Sequence, residues 1–130
     1  MLVWKPEYSI GVHLIDEQHK YLFETINNAF ELLKDDLSAD KYDGITLIIQ
    51  DLCLYAKYHF MTEENYMIKI NYKGYSSQKV DHDDFIQYMN KIDLKQVGED
   101  PQKYIENLLS YLLKWLLDHI LLKDKLIKME

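Results

Sequence analysis

Apolar residues recur every three or four positions along four long segments of the chain, which is the spacing of amphipathic helices. This spacing predicts helices over about residues 16–36, 40–70, 76–95 and 101–127. No stretch alternates apolar and polar residues for long enough to indicate a β-strand. The sequence therefore predicts an all-α protein.

Capping and turn-forming residues separate the four segments. Asp16 is the expected N-cap of the first helix, and a proline at the first helical position opens the fourth. Short connections favour antiparallel neighbours, so we expect an up-down-up-down antiparallel four-helix bundle with an N-terminal extended arm. Residues 1–130 are few enough to form one domain. The residues at the breaks are Asn71, Gly74, Gly98 and the pair Asp100-Pro101.

The charge and the cysteine content narrow the class of partner and the compartment. The formal charge is −7 and no arginine is present, whereas a surface that binds nucleic acid needs clustered basic residues. No run of 18 apolar residues could span a bilayer, and the N-terminus lacks the apolar run of a signal peptide. The one cysteine, Cys53, suits a reducing compartment. We expect a cytoplasmic protein that binds neither nucleic acid nor membrane.

Histidines and carboxylates indicate the chemistry. Four of the five histidines fall one on each predicted helix, and Glu63 follows His59 by four residues, which places both side chains on one helix face. A single histidine on an apolar face is more often a core residue with its nitrogens satisfied. Several imidazoles and two carboxylates in one core need partners, and a pair of metal ions would supply them. This set consists of His19, His59, Glu63, His82, His119 and Asp124.

Three stretches resemble the bacterial hemerythrins. The first comprises Trp4 with residues 8–12 (YSIGV) and 15–20 (IDEQHK). The second is residues 59–64 (HFMTEE) followed by Met67, and the third is residues 115–120 (WLLDHI) followed by Asp124. The resemblance extends over essentially the whole chain.

The resemblance implies two iron ions joined by an oxo or hydroxo bridge. His19 and His59 would bind one iron and His82 and His119 the other, while Glu63 and Asp124 would bridge them. Other divalent metals also accept such ligands.

The resemblance further implies dioxygen as the ligand, bound at the iron of His19 and His59. Trp115 and Leu116, one turn before His119, would wall the oxygen pocket, although plain core packing explains them equally well.

One position departs from the family, whose third helix normally offers two histidines four residues apart. Here Gln78 stands four residues before His82. An amide oxygen is a harder and weaker ligand for ferrous iron than imidazole. Gln78 either coordinates through this oxygen, leaves an exchangeable position, or marks a site reduced to one metal or none. His13, the spare histidine, is expected in the loop before the first helix and facing away from the site.

The spacing between His119 and Asp124 is also unusual. Five residues advance a regular helix by about 500°, which leaves Asp124 about 140° away from His119. Either the carboxylate reaches around the helix, or a π-type bulge widens it locally.

Three kinds of function remain. The protein could bind dioxygen, it could be an oxidase, peroxidase or nitric-oxide-reactive enzyme, or it could be an oxygen or redox sensor. The intact motifs of the second and fourth helices favour binding, whereas Gln78 favours an enzyme.

Overall fold

A computed structural model of the protein describes residues 4–35, 41–92 and 101–128. Four long helices run through these residues, and no strand occurs within them. They are α1 (His13–Lys34), α2 (Lys41–Lys69), α3 (Tyr75–Asn90) and α4 (Pro101–His119). Beyond His119 the chain continues as a π-helical segment, Ile120–Asp124, and a last helical turn, Lys125–Lys128.

The helices form the predicted antiparallel four-helix bundle. Helix α1 packs against α2 and α4, and α2 also packs against α3. Apolar side chains at the three-four spacing of α1 and α4 supply most of the core between them. The all-α prediction is therefore confirmed. None of the helices described is both long and apolar enough to cross a membrane.

An N-terminal arm precedes α1 and contains a short 3₁₀ turn, Pro6–Tyr8. The rings of Trp4 and Tyr8 pack on Phe23 of α1, with centroids 5.3 and 5.7 Å away, and Ile10 is fully buried. The chain then turns at Gly11, whose φ of 85° lies in the left-handed region that glycine tolerates best. The arm thus packs against α1 near its middle.

The predicted role of Asp16 as the N-cap of the first helix is wrong. Helix α1 begins three residues earlier, at His13, and Asp16 lies inside its first turn, buried. Its Oδ1 accepts a hydrogen bond from the Ile10 N–H at 2.8 Å, and its Oδ2 accepts one from the Ser9 hydroxyl at 2.5 Å. Asp16 therefore fastens the arm to the helix.

The predicted end of α3 is shifted, whereas the end of α2 and the start of α4 lie close to their predicted positions. Helix α3 ends at Asn90 rather than near residue 95, because residues 91 and 92 are already non-helical. Helix α2 ends in the predicted turn, where Asn71 adopts a left-handed φ of 54°. Pro101 is the first residue of α4, as predicted. The predicted boundaries at 36, 40, Gly98 and Asp100 lie outside the described residues.

Candidate metal centre

All six predicted ligands and Gln78 are buried together, although polar side chains rarely are. None of the seven is more than 5% exposed, and four have no exposed surface. Helix α1 supplies His19, α2 supplies His59 and Glu63, and α3 supplies His82 and Gln78. The end of α4 supplies His119 and the π segment supplies Asp124. The structure therefore brings the whole predicted set to one point.

The first cluster consists of His19, His59, Glu63 and Asp124, whose ligand atoms all lie within 4.8 Å of one another. Glu63 Oε1 is 2.6 Å from His59 Nε2 and 3.0 Å from His19 Nε2. Asp124 Oδ2 is 3.1 Å from His19 Nε2. Two imidazoles and one oxygen of each carboxylate thus surround a single position.

The second cluster consists of Glu63, His82 and His119. His82 Nε2 is 3.2 Å from Glu63 Oε2 and 3.1 Å from His119 Nε2. The other oxygen of Asp124, Oδ1, is 3.1 Å from His119 Nε2. Each carboxylate therefore directs one oxygen to each cluster, which is the arrangement required of two ligands that bridge a metal pair.

The π-helical segment explains how Asp124 reaches the site. A regular helix would carry its side chain about 140° away from His119. Residues 120–124 instead form a π turn, which accommodates one extra residue and leaves the two side chains on the same side. Of the two explanations that the spacing left open, the structure has the widened helix.

A chain of hydrogen bonds from helix α2 fixes the tautomer of His59. The Thr62 hydroxyl donates to the Tyr58 carbonyl, so it accepts from the Gln18 amide N–H at 3.2 Å. The amide oxygen of Gln18 therefore faces His59, whose Nδ1–H donates to it at 2.7 Å. Nε2 is left without a proton and directed at Glu63, which suits a metal ligand. This function of Gln18, which directly precedes His19, was not predicted from the sequence.

His82 is oriented in the same way by a carboxylate from α2. Its Nδ1–H donates to Glu64 Oε2 at 2.8 Å, so its Nε2 is the nitrogen that faces Glu63 and His119. The carboxylates of Asp83 and Asp81, which flank His82 in sequence, pair with Lys79 and Lys123 instead.

Burial and charge move the pKa values of these groups in opposite directions. Burial lowers the pKa of His19, but hydrogen bonds and charges from Asp124 and Glu63 outweigh it and raise the pKa to about 9. For His119, burial is likewise outweighed by Asp124 and then Glu63, and the pKa rises to about 10. Burial prevails at His59, whose pKa is lowered. The pKa values of Glu63 and Asp124 are lowered despite their burial, because the surrounding imidazoles stabilise the anions.

The donor set fits a metal pair. Several buried atoms of the centre have no hydrogen-bond partner, although they lie close to one another. Two imidazole nitrogens, His82 Nε2 and His119 Nε2, lie 3.1 Å apart, a separation that also suits two ligands of one cation. Imidazole and carboxylate together suit iron, zinc or manganese. The unpartnered atoms are His19 Nδ1, His59 Nε2, Glu63 Oε2, Gln78 Oε1 and Asp124 Oδ2.

Aromatic rings pack on the second cluster from the apolar side. The Phe60 ring stacks on His82 with centroids 4.1 Å apart, and the Trp115 ring stacks on His119 at 4.7 Å. Phe60, Trp115 and Leu116 also line a small cavity of about 10 Å³, whose walls are entirely apolar. The two residues suggested for an oxygen pocket thus border an apolar space next to the imidazoles. Phe60 was not singled out from the sequence.

Gln78 occupies the interior of the site, and His13 does not. Gln78 Nε2 donates to Asp124 Oδ1 at 3.0 Å, so this amide contacts a bridging carboxylate. His13 is exposed and faces away from the clusters, as expected, but it is the first residue of α1 and not part of the preceding loop.

Comparison with known proteins agrees with this geometry. The family model described as the hemerythrin HHE cation binding domain matches residues 10–130. A bacteriohemerythrin of Clostridium acetobutylicum is 42% identical over 125 residues, which cover 96% of this chain and 97% of the relative. A bacteriohemerythrin of Pseudomonas paraeruginosa is 33% identical, covering 92% and 74% of the two chains. A hemerythrin-like protein of Naegleria gruberi is 30% identical, covering 90% and 82%. The chain belongs to the hemerythrin family.

Proposed function

We propose that this protein binds two iron ions in the buried clusters and uses them to bind dioxygen. His19 and His59 would hold one ion, His82 and His119 the other, and Glu63 and Asp124 both. The observation on which the proposal rests is that both carboxylates direct one oxygen to each cluster. The names of the bacteriohemerythrin relatives support the same family of function.

The surrounding residues prepare the imidazoles for a cation. Gln18 and Glu64 accept the Nδ1 protons of His59 and His82, which keeps each Nε2 available. Such partners also hold the rings in place and raise the basicity of the ligand. A bound pair of ferrous ions supplies the electrons that dioxygen needs in order to bind.

The apolar packing shields one side of the centre from water and acids. Reversible binding fails when protons reach a bound oxidant, so the pocket has to exclude donors. The cavity beside Phe60, Trp115 and Leu116 has no polar lining and is about as large as the space that one water molecule needs. A small apolar gas would enter it at a lower cost than water would.

A second candidate function is an enzyme that consumes dioxygen, peroxide or nitric oxide. Gln78 is the observation that favours it, because the second cluster then has only two imidazoles, as the first does. A pair with an open position on each metal would suit turnover better than storage. The single free cysteine, Cys53, supports a cytoplasmic setting for either function.

The test is anaerobic loading of the apoprotein with ferrous iron, followed by dioxygen. Binding predicts about two irons per chain and visible absorption that appears with dioxygen and disappears when the gas is removed. Glu63→Gln should lose the pair because one bridge is weakened, whereas Glu24→Gln, at an exposed position of α1, should behave as the wild type. Irreversible oxidation with repeated consumption of dioxygen would favour the enzyme. Wild type that retains less than one metal per chain would refute both functions.

A further inference from the structure

The orientation of the Gln78 amide follows from its neighbour. Gln78 is 1% exposed and lies one turn before His82 on α3. One end of its amide is 3.0 Å from Asp124 Oδ1. A carboxylate oxygen accepts hydrogen bonds and does not donate them, so the amide must present its N–H there. The carbonyl oxygen, Oε1, is therefore directed away from Asp124.

That carbonyl oxygen is buried and has no hydrogen-bond partner among the described residues. The neighbouring ligand atoms do not supply a donor. The Nδ1–H of His82 donates to Glu64, and its Nε2 lies against Glu63 Oε2 and His119 Nε2. Glu63 Oε2 can only accept hydrogen bonds, and His119 Nε2 lies against Asp124 Oδ1. A buried acceptor without a donor is costly, so the geometry calls for a ligand that brings a proton.

The amide also leaves the second metal position short of one nitrogen. A histidine at residue 78 would present a ring nitrogen, whereas the amide nitrogen of Gln78 has no free lone pair and is engaged with Asp124. The second cluster then offers two imidazoles, from His82 and His119, together with its carboxylate oxygens. A metal ion held there would have one coordination position that no side-chain nitrogen fills.

We propose that this position, next to Gln78 Oε1, is an exchangeable site for a small protic oxygen ligand of the class of water, hydroxide or hydrogen peroxide. The ligand donates a hydrogen bond to Gln78 Oε1, while the Gln78 N–H donates to Asp124 and positions it. The proposal rests on the proposed binding of two metals, and it assigns the substituted residue a place in the site.

An open hollow at the surface borders the centre at His119. It has a volume of about 200 Å³ and is lined by Trp115, His119, Asp118, Asp81 and Lys123. The Lys123 ammonium donates to the Ser77 hydroxyl at 2.9 Å, directly beside Gln78 in sequence. Three charged side chains, Asp81, Asp118 and Lys123, thus stand around an approach to His119 that is separate from the entirely apolar cavity, although Trp115 lines both.

The test counts exchangeable waters on the manganese-loaded protein by ¹⁷O relaxation of the solvent. Wild type should have one more water per metal pair than Gln78→His, in which an added imidazole takes the position. Gln78→Met should keep the same count but exchange that water faster, by roughly two- to tenfold, the factor expected from one hydrogen bond. Gln87→His is the matched control, since it makes the same change at an exposed position of α3 and should match the wild type.

The outcomes separate this proposal from the one on which it depends. Wild type that takes up fewer than two manganese ions refutes the metal pair and the water site together. Two bound ions with equal water counts in wild type and Gln78→His refute the water site alone, because Gln78 itself would then fill the position. If Gln78→His does not fold, an unchanged exchange rate in Gln78→Met overturns the proposal.

Discussion

Two histidines of the metal-free centre retain their protons well above neutral pH, and this makes the stability of the apoprotein depend on pH. The folded pKa is about 9 for His19 and about 10 for His119, against 6.5 for an ordinary histidine. Between pH 6.5 and these values the folded state binds more protons than the unfolded chain. Its free energy of unfolding must therefore fall as the pH rises through this range.

The size of the effect follows from the pKa values. A change from 6.5 to about 9 at His19 corresponds to roughly 3 kcal/mol, present in full below pH 6.5 and lost by about pH 9 to 10. His119 adds less than its own shift suggests, because both histidines depend on Asp124 and Glu63. His59 acts in the opposite sense, since its lowered pKa makes protonation below pH 6.5 destabilising. We expect maximal stability of the apoprotein near pH 6.5.

Urea unfolding of the chelator-treated protein at several pH values from 5 to 10 measures this dependence. Asp124→Asn should flatten the alkaline decline because it removes the charge that both histidines share, whereas Asp51→Asn, at an exposed position of α2, should not. Saturating zinc should also abolish the decline, since bound metal requires neutral imidazoles and releases their protons. Stability that is constant or rises between pH 6.5 and 9 would refute the assignment of protonated histidines.

Three further predictions follow from single contacts. Glu64→Ala removes the acceptor of the His82 proton and should weaken zinc binding at the second position by about 10–100-fold in calorimetry; unchanged affinity would contradict it. Leu112→Ala, at a wall of the apolar cavity, should cost about 2–5 kcal/mol in urea unfolding, and a negligible cost would mean that the core collapses around it. Deleting Leu121 should convert the π segment to a regular helix and still bind two metals with Asp124; loss of one metal would refute that geometry.

The helices and the meeting of the ligands could be predicted because both depend on regular spacing. The three-four pattern of α1 and α4 sets which face is buried, and the four-residue separation of His59 and Glu63 sets a common direction. If each of four packed helices carries one histidine on its buried face, these histidines must lie near the axis of the bundle. The fold is thereby confirmed and the residues are close together, while their binding of iron remains a prediction.

The partners of the ligands could not be predicted, since they depend on how helices face one another. Residues next to His82 in sequence project about 100° around the helix and cannot reach its ring, whereas Glu64 reaches it from α2. Asp16 has the residue type of an N-cap, but the arm folds back and uses its carboxylate instead. The sequence left two explanations of how Asp124 reaches the site, and the π segment was one of them, because helical periodicity assumes a regular helix. Tertiary contacts decided each of these points.

The packing around the centre explains how it keeps its shape at the expense of stability. Burying carboxylates and imidazoles costs desolvation free energy that an apolar core would not lose, and the ion pairs among them offset only part of it. The rings of Phe60 and Trp115 nevertheless lie flat against His82 and His119, so these imidazoles are held by apolar contacts that do not need a metal. The ligands are therefore already oriented before a cation binds, so binding does not require them to become ordered. Metal affinity here should accordingly depend on the donor set, and above all on residue 78, more than on a cost of ordering the chain.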